Sequence, residues 1–332
     1  MSYRPRSATR IAVALGAAPL ALAAASAACT IAAERRDALR HPPPGETVDV
    51  GGRRMHVYSS GTSSPALVVI PALSTPAVEW VRVHRILSER TDARIILVDR
   101  AGTGWSDPGP WPRTISVMAD EIHDLITALD ITGPLVLAGH SVGGLIARLY
   151  AARHRELVAR LVLVDSSHED QFARIPQALG GHMLLALAVR RQLQVLGMQR
   201  LAHVLGLRHD LQRDAQREAP EDLADAHLAR CLSRSFRRTV VQECLGVRNG
   251  LQPLRTEARE LGDLPLTVVT AGPHDRETWH HEWLALQREF LDMSTDSRQI
   301  AMFGSGHHIN HDDPAGIATI LHKELRFAGQ QG

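Results

Sequence analysis

The stretch Gly139-His140-Ser141-Val142-Gly143 decides the fold of this 332-residue chain. An apolar run, Leu135-Val136-Leu137-Ala138, precedes it, and a helix-like run over residues 145–150 follows it. A serine between two glycines, at a sharp turn from strand to helix, presents its hydroxyl to a histidine that lies elsewhere in the chain. The free N–H groups at the start of such a helix also favour a developing negative charge. We therefore predict that Ser141 is a nucleophile at a strand-to-helix elbow.

The overall composition favours one large folded core and a small-molecule ligand. The chain has 37 basic and 36 acidic residues, and 44% of its residues are hydrophobic. The opposite charges nearly cancel and no long run of like charge occurs, so we expect no nucleic-acid surface. The sequence also indicates no required protein partner.

Residues 1–40 are expected to form a separate N-terminal segment with a linker. Three arginines precede an uncharged stretch from Ile11 to Ala33, which is long enough to cross a bilayer as a helix. We favour a membrane anchor over a secretory signal cleaved after a small-residue site such as Ala25-Ser26-Ala27. A third option is lipid attachment at Cys29. The catalytic part is accordingly expected outside the cytoplasm, either anchored to the membrane or secreted.

Strand-like and helical patterns alternate after a proline-rich spacer, His41–Gly45. The two glycines Gly51-Gly52 predict a hairpin between residues 48 and 58. Further strand-like runs cover residues 66–70, 94–98, 135–138, 161–164 and 266–270. Strands that alternate with helices indicate a mostly parallel sheet with helices on both faces.

The long gap between Asp165 and Leu264 has helical periodicity and no convincing strand. We interpret it as a helical cap inserted after the sixth strand. The expected boundaries are 47–168 for the first part of the core, 169–262 for the cap and 263–328 for the second part of the core. Insertions at the carboxyl ends of parallel strands shape ligand pockets, so the cap should select the substrate.

The cap contains two cysteines, Cys231 and Cys244. They could form a disulfide if the body lies outside the cytoplasm. Two buried thiols on helices are the other interpretation, and the one that we favour.

A general base and its acid are expected downstream of the nucleophile. The segment Gly304-Ser305-Gly306-His307 places a histidine in a glycine-flanked loop before the last helix, and His307 is the predicted base. The acid should lie between the serine and the histidine in the chain. Asp275 follows a late strand and is our first choice, while Asp165, at the end of an earlier strand, is the alternative. Either carboxylate would orient the imidazole and stabilise its charged form.

The chain resembles members of the α/β-hydrolase superfamily over roughly Val48 to Phe327. The resemblance implies the α/β-hydrolase fold, with a mostly parallel central sheet flanked by helices and the helical cap after strand six. The chain is similar in particular to bacterial cap-bearing hydrolases described broadly as esterases, lactonases or peptidases, some with an N-terminal membrane segment. The motifs that carry the resemblance are Asp99–Pro108, the elbow, Leu161–Asp165, Gly272–Asp275 and Ser305–His307.

The loop that should form the oxyanion hole departs from the pattern of these relatives. They often have His-Gly or several glycines, whereas this chain has Pro71-Ala72-Leu73-Ser74-Thr75-Pro76. The hole uses backbone N–H groups, so geometry matters more than side-chain identity. By position, we assign the two donors to Leu73 and Val142.

These features predict a serine hydrolase that cleaves a small or medium, largely apolar ester, lactone or thioester through an acyl-enzyme. We expect no cofactor. A serine at the elbow argues against the dehalogenase and epoxide hydrolase chemistry that an aspartate there would imply. We also expect no metal ion, because the group formed by His307, His311, Asp312 and Asp313 lacks a companion ligand motif.

Two other functions remain open. A proline-type aminopeptidase or amidase on the same fold would need an acidic pocket for the substrate amine, to which Glu169 or Asp170 would contribute. A non-catalytic binding protein is the alternative from a different class, because a fold does not fix a function.

Overall fold

The computed structural model describes residues 27–175, 200, 206, 209–272 and 279–330. Eight strands form one sheet with the spatial order β1-β2-β4-β3-β5-β6-β7-β8. β1 pairs antiparallel with β2, β2 pairs antiparallel with β4, and all remaining pairs are parallel. The strands are β1 (Glu46–Val50), β2 (Arg53–Ser60), β3 (Ser63–Ile70), β4 (Ala93–Val98), β5 (Leu135–His140), β6 (Val158–Val164), β7 (Leu266–Ala271) and β8 (Ser297–Met302).

β1 and β2 form the predicted hairpin. Val50 pairs with Arg53, so the turn consists of Gly51 and Gly52, whose φ angles are 63° and 85°. Two consecutive residues with positive φ are what the common two-residue hairpin turn requires, and glycine adopts them without steric cost.

Helices cover both faces of the sheet. Along β3, Val68 and Ile70 pack into one hydrophobic cluster, while Leu67 and Val69 pack into another on the opposite face. A strand buried on both faces is continuously apolar rather than alternating, as this one is. The helices are α1 (residues 27–40), α2 (Val81–Ser88), α3 (Ile115–Ala128), α4 (Val142–Arg153), α5 (Gln171–Arg174), α6 (His209–Glu218), α7 (Ala224–Cys231), α8 (Arg234–Asn249), α9 (Gln252–Glu257), α10 (His280–Glu289), α11 (Ile309–Asp312) and α12 (Pro314–Ala328), with 3₁₀ turns at Ala77–Trp80, Glu221–Leu223 and Phe290–Met293.

The insertion between β6 and β7 contains α5 to α9, and its described residues include no strand. The cap expected after the sixth strand is therefore observed, whereas the residue boundaries of the four units stay a prediction. Cys231 and Cys244 are free thiols that meet in one apolar cluster with Phe236 and Val240.

The described part of the N-terminal segment lies against the cap. Glu34 of α1 pairs with Arg234, and Asp37 pairs with Arg200. Residues 1–26, which hold most of the expected membrane segment, lie outside the described residues. Within the residues that the structure describes, none of the helices is long and apolar enough to span a membrane.

Candidate active site

Ser141 lies at the tip of the predicted elbow, between β5 and α4. Its φ and ψ angles are 52° and −119°, a region that residues with a side chain rarely adopt. Its N–H donates to the Val164 carbonyl at 3.1 Å, and its carbonyl accepts from Ser167 N at 3.0 Å and Gly144 N at 2.9 Å. These backbone bonds hold the serine in its strained conformation.

The glycines of the elbow are required by close approaches of the backbone. A Cβ added to Gly143 would lie 2.1 Å from the Ile70 carbonyl oxygen and 2.6 Å from that of Pro71. A Cβ on Gly139 would lie 2.4 Å from the Gly143 oxygen. The start of α4 therefore packs directly against the end of β3, which places Val142 beside the predicted oxyanion loop.

His307 follows β8, and its imidazole contacts the carboxylate of Asp165. Its Nδ1 lies 2.7 Å from Asp165 Oδ2. The other carboxylate oxygen, Oδ1, accepts from Ala271 N at 3.1 Å and from Trp283 Nε1 at 3.0 Å. The Asp165 side chain is only 2% exposed, so both of its oxygens are satisfied inside the protein. If His307 is the base, Nε2 is the nitrogen that would exchange the proton, because Nδ1 contacts the carboxylate.

The structure describes only one of the two candidate acids. Asp275, our first choice, lies outside the described residues, in the segment 273–278. Asp165, the alternative, directly follows β6 at a φ of 38° and is the aspartate that meets His307. Among the described residues, the alternative acid is therefore the carboxylate seen in contact with the predicted base.

His140 connects the elbow to the histidine loop. Its Nε2 donates to the His307 carbonyl oxygen at 2.8 Å. Burial, followed by the nearby imidazoles of His307 and His308, holds the pKa of His140 well below its usual value. A neutral imidazole therefore supports the backbone of the predicted base.

Arg100 fixes the loop that the sequence analysis assigned to the oxyanion hole. Its Nη1 donates to the Pro71 carbonyl at 2.6 Å, and its Nη2 donates to the Ala72 carbonyl at 2.9 Å. Its Nε and Nη2 also donate to the two carboxylate oxygens of Glu243 on α8, at 2.9 and 2.8 Å. In the sequence, Arg100 is only one residue of the Asp99–Pro108 motif, because the partners of its side chain lie far away in the chain.

The two predicted oxyanion donors lie on elements that leave their N–H groups available. In the described part of the chain, the Leu73 N–H has no intramolecular acceptor. Val142 is the first residue of α4, so the helix does not use its N–H. The loop that carries Leu73 turns at Ser74, where φ is 62°.

A cavity of about 290 Å³ separates this loop from the cap. Leu73, Leu228 and Phe236 give it apolar surface. The remaining walls include charged and titratable side chains, namely Glu79, Asp214, Glu218, His227, Arg237 and His308. The cavity is thus more polar than a pocket for the largely apolar substrate expected from the sequence would be.

The two acids suggested for an amine pocket are already paired with arginines. Glu169 Oε2 lies 2.6 Å from Arg148 Nη2, and Asp170 Oδ1 lies 2.8 Å from Arg255 Nη2. Burial alone would raise the pKa of Glu169, but Arg148 outweighs it and holds that pKa below its usual value. These carboxylates are therefore not available to bind a substrate amine.

The four residues of the C-terminal histidine loop that were considered as a metal group have separate partners. They do not converge on one point. The contacts are His307 with Asp165, His311 with Glu79, Asp312 with Gly306 and Asp313 with Gly316.

Comparisons with known proteins agree with this architecture. A family model described as the alpha/beta hydrolase fold matches residues 65–220. An uncharacterised protein of Mycobacterium tuberculosis is 27% identical over 303 residues, which cover 85% of this chain and 81% of that protein. An uncharacterised protein of Schizosaccharomyces pombe is 33% identical over 110 residues, but the match spans only 33% of this chain and 20% of that longer relative.

Solved structures show the same fold. The enol-lactonase from Burkholderia xenovorans superposes with a TM-score of 0.62 at 21% identity, over 85% of this chain and 100% of that one. The epoxide hydrolase CorEH gives a TM-score of 0.61 at 20% identity, over 84% and 96% of the two chains. This chain has the α/β-hydrolase fold, and the family model of that fold matches it over residues 65–220.

Proposed function

We propose that the protein is a serine hydrolase that cleaves a small or medium ester, lactone or thioester through an acyl-enzyme. One observation carries the proposal. His307 is held by a fully satisfied, buried Asp165 at 2.7 Å, and its backbone is tied to His140, the neighbour of the strained Ser141. A histidine held by a buried carboxylate is the pair that a serine nucleophile needs for activation, so this pair supports the proposal.

In the proposed reaction Ser141 Oγ attacks the substrate carbonyl, and His307 Nε2 accepts its proton. Asp165 stabilises the resulting imidazolium through Nδ1. The N–H groups of Leu73 and Val142 stabilise the oxyanion of the tetrahedral intermediate. His307 then protonates the leaving group, and in the second half of the reaction it activates the water that releases the acid.

The cavity beside the oxyanion loop supports a substrate of modest size with an apolar part. A pocket of about 290 Å³ is at the lower limit of small-molecule sites, which typically span about 300–1,000 Å³. Leu73, Leu228 and Phe236 would contact the apolar part, and the charged wall would face a polar group. A lactone has this combination of a short hydrocarbon ring and a polar ester.

Cleavage of an amide next to a free amine is the second candidate. Glu169 and Asp170 do not support it because both are paired with arginines. Three other carboxylates, those of Glu79, Asp214 and Glu218, do line the cavity and would attract an ammonium group. A panel of aryl esters, lactones and aminoacyl anilides separates the two candidates, and we expect the esters and lactones to react faster.

The proposal is tested by treating the purified full-length chain with a fluorophosphonate and locating the adduct by mass spectrometry. We expect one adduct, on Ser141, that is lost in Ser141→Ala and in His307→Ala. Ser167→Ala is the matched control, because Ser167 Oγ lies 3.5 Å from Ser141 Oγ and its loss should leave labelling intact.

The same assay decides the acid. Asp165→Asn should slow labelling by roughly 10³–10⁴-fold, because the imidazole loses its charged partner and its tautomer is no longer fixed. Asp275→Asn should label at close to the wild-type rate. The reverse order of the two variants would assign the acid to Asp275, and a folded wild-type protein that takes no label would favour the non-catalytic binding protein.

A further inference from the structure

A second group of ionisable side chains lines the cavity between the core and the cap, outside the proposed catalytic triad. Glu79 belongs to the 3₁₀ turn that follows the oxyanion loop, Glu218 ends α6, and His227 lies in α7. One ligand atom from each of these three residues lies within 4.8 Å of the other two. The group therefore joins the hydrolase core to two helices of the cap.

Glu79 is the residue of this group whose charge is least satisfied. Its side chain is 7% exposed, and His227 Nε2 lies 3.9 Å from its Oε1. His311 Nε2 lies 3.1 Å from its Oε2 but is not aligned for a hydrogen bond. Within the described residues, the Glu79 carboxylate thus accepts no well-aligned hydrogen bond, although most buried polar side-chain groups have at least one partner.

We propose that Glu79, Glu218 and His227 bind one divalent metal ion of the zinc class. Two carboxylates and an imidazole are ligands that Zn²⁺ accepts, whereas Ca²⁺ and Mg²⁺ take oxygen ligands. In a tetrahedral site with bonds of about 2.0–2.1 Å, ligand atoms lie about 3.4 Å apart. The distances from His227 Nε2 to the Glu218 and Glu79 oxygens, 2.9 and 3.9 Å, lie on either side of that value.

Neighbouring side chains would support the three ligands. His311 contacts the second oxygen of Glu79, as groups that orient a metal-bound carboxylate commonly do. Cys231 lies one helical turn after His227, and its Sγ is 3.7 Å from both ring nitrogens. A nearby thiol favours zinc over harder ions such as Mn²⁺. The cavity, which the same three residues line, leaves room for a water molecule as the fourth ligand.

A metal-free explanation exists for part of the group. Burial disfavours the His227 imidazolium, but Cys231, Glu218 and Glu79 outweigh it and raise the pKa of His227 well above its usual value. A charged His227 would account for its 2.9 Å contact with Glu218. Its distance to Glu79 is longer, at 3.9 Å, and a metal ion between the three residues would bind that carboxylate directly.

The test uses the full-length protein, stripped with a chelator and titrated with Zn²⁺ by calorimetry, with metal content measured after dialysis. We expect one equivalent of zinc and an increase in melting temperature on zinc addition. Glu79→Gln and His227→Gln should each weaken binding by at least about tenfold and abolish the increase. Glu221→Gln is the matched control, since Glu221 is an exposed carboxylate three residues after Glu218.

The experiment has outcomes that overturn the proposal. A wild-type protein that retains no zinc would do so, as would zinc binding that is equal in wild type and in both site variants, which would indicate other histidines. Circular dichroism shows whether each variant folds, and the visible spectrum of added Co²⁺ provides a second readout on the wild type, where a tetrahedral absorption band is expected. None of these readouts depends on catalysis, so they stand apart from the fluorophosphonate test.

Discussion

Two ionic junctions join the core to the cap beside the oxyanion loop, and they are built differently. In the arginine junction, Arg100 of the core donates two hydrogen bonds to Glu243 of α8, and the two side chains are 1% and 0% exposed. In the histidine junction, Glu79 of the core meets His227 and Glu218 of the cap at a cavity wall.

The difference shows what each junction is suited to do. A buried charge is tolerated when hydrogen bonds satisfy it, and Arg100 achieves this with Glu243 and two loop carbonyls. Such a junction holds the oxyanion loop in one position. The histidine junction leaves Glu79 without aligned donors and faces open space, which suits a place where a ligand completes the structure.

The largest expected effect comes from breaking the arginine junction. Arg100→Met leaves Glu243 buried with only the 3.8 Å contact to Arg113, so the free energy of unfolding should fall by about 3–5 kcal/mol. Fluorophosphonate labelling of the folded fraction should slow by about tenfold or more, because the carbonyls of Pro71 and Ala72 lose their donor and the loop relaxes. Urea denaturation and the labelling rate measure the two effects.

A double variant separates stability from loop position. Arg100→Met combined with Glu243→Met replaces the pair by apolar side chains and should recover most of the lost stability. Labelling should stay slow, because the loop carbonyls still lack Arg100. If labelling recovers together with stability, Arg100 does not position the loop. The arginine junction would then contribute only stability.

Breaking the histidine junction should have a smaller effect on stability. In the metal-free protein, Glu79→Gln should change the free energy of unfolding by no more than about 1 kcal/mol, because it removes no aligned hydrogen bond. His227 keeps its 2.9 Å contact with Glu218 in this variant. Glu243→Gln is the comparison from the other junction. Equal losses in the two variants, measured by urea denaturation, would show that the junctions are energetically alike.

Much of the core could be predicted because its signals are local. The apolar runs matched strands, as Ala66–Ile70 did within β3, and the hairpin turned at its two glycines. β8 was missed because its sequence, SRQIAM, mixes polar and apolar residues. It lies at the sheet edge and pairs only with β7, so solvent reaches part of it and no continuous apolar run is needed.

The candidate site was predictable only where one segment defines it. Ser141 and His307 each lie in a short glycine-containing motif, and both lie where such a motif predicts. The acid could not be chosen from sequence, because two aspartates follow strands. The contacts that surround Asp165, such as the Trp283 indole 118 residues away in the chain, have no local signal. The group formed by Glu79, Glu218 and His227 has no sequence signature, since three separate elements bring its members together.

The smallest expected effect concerns His140, the last residue of β5, and depends on pH. The folded pKa of His140 is held well below the unfolded value of about 6.5 by burial and by the imidazoles of His307, His308 and His311. Its contribution to stability is therefore present above about pH 6.5 and is lost as the pH falls toward the folded value, because protonation then favours the unfolded chain.

The melting temperature of wild type should fall more steeply on acidification than that of His140→Gln. His281→Gln, which removes an exposed histidine, should follow the wild-type curve. Parallel curves for wild type and His140→Gln would mean that His140 is not held neutral in the folded protein, and its hydrogen bond to the His307 carbonyl would then tolerate a charge beside the proposed base.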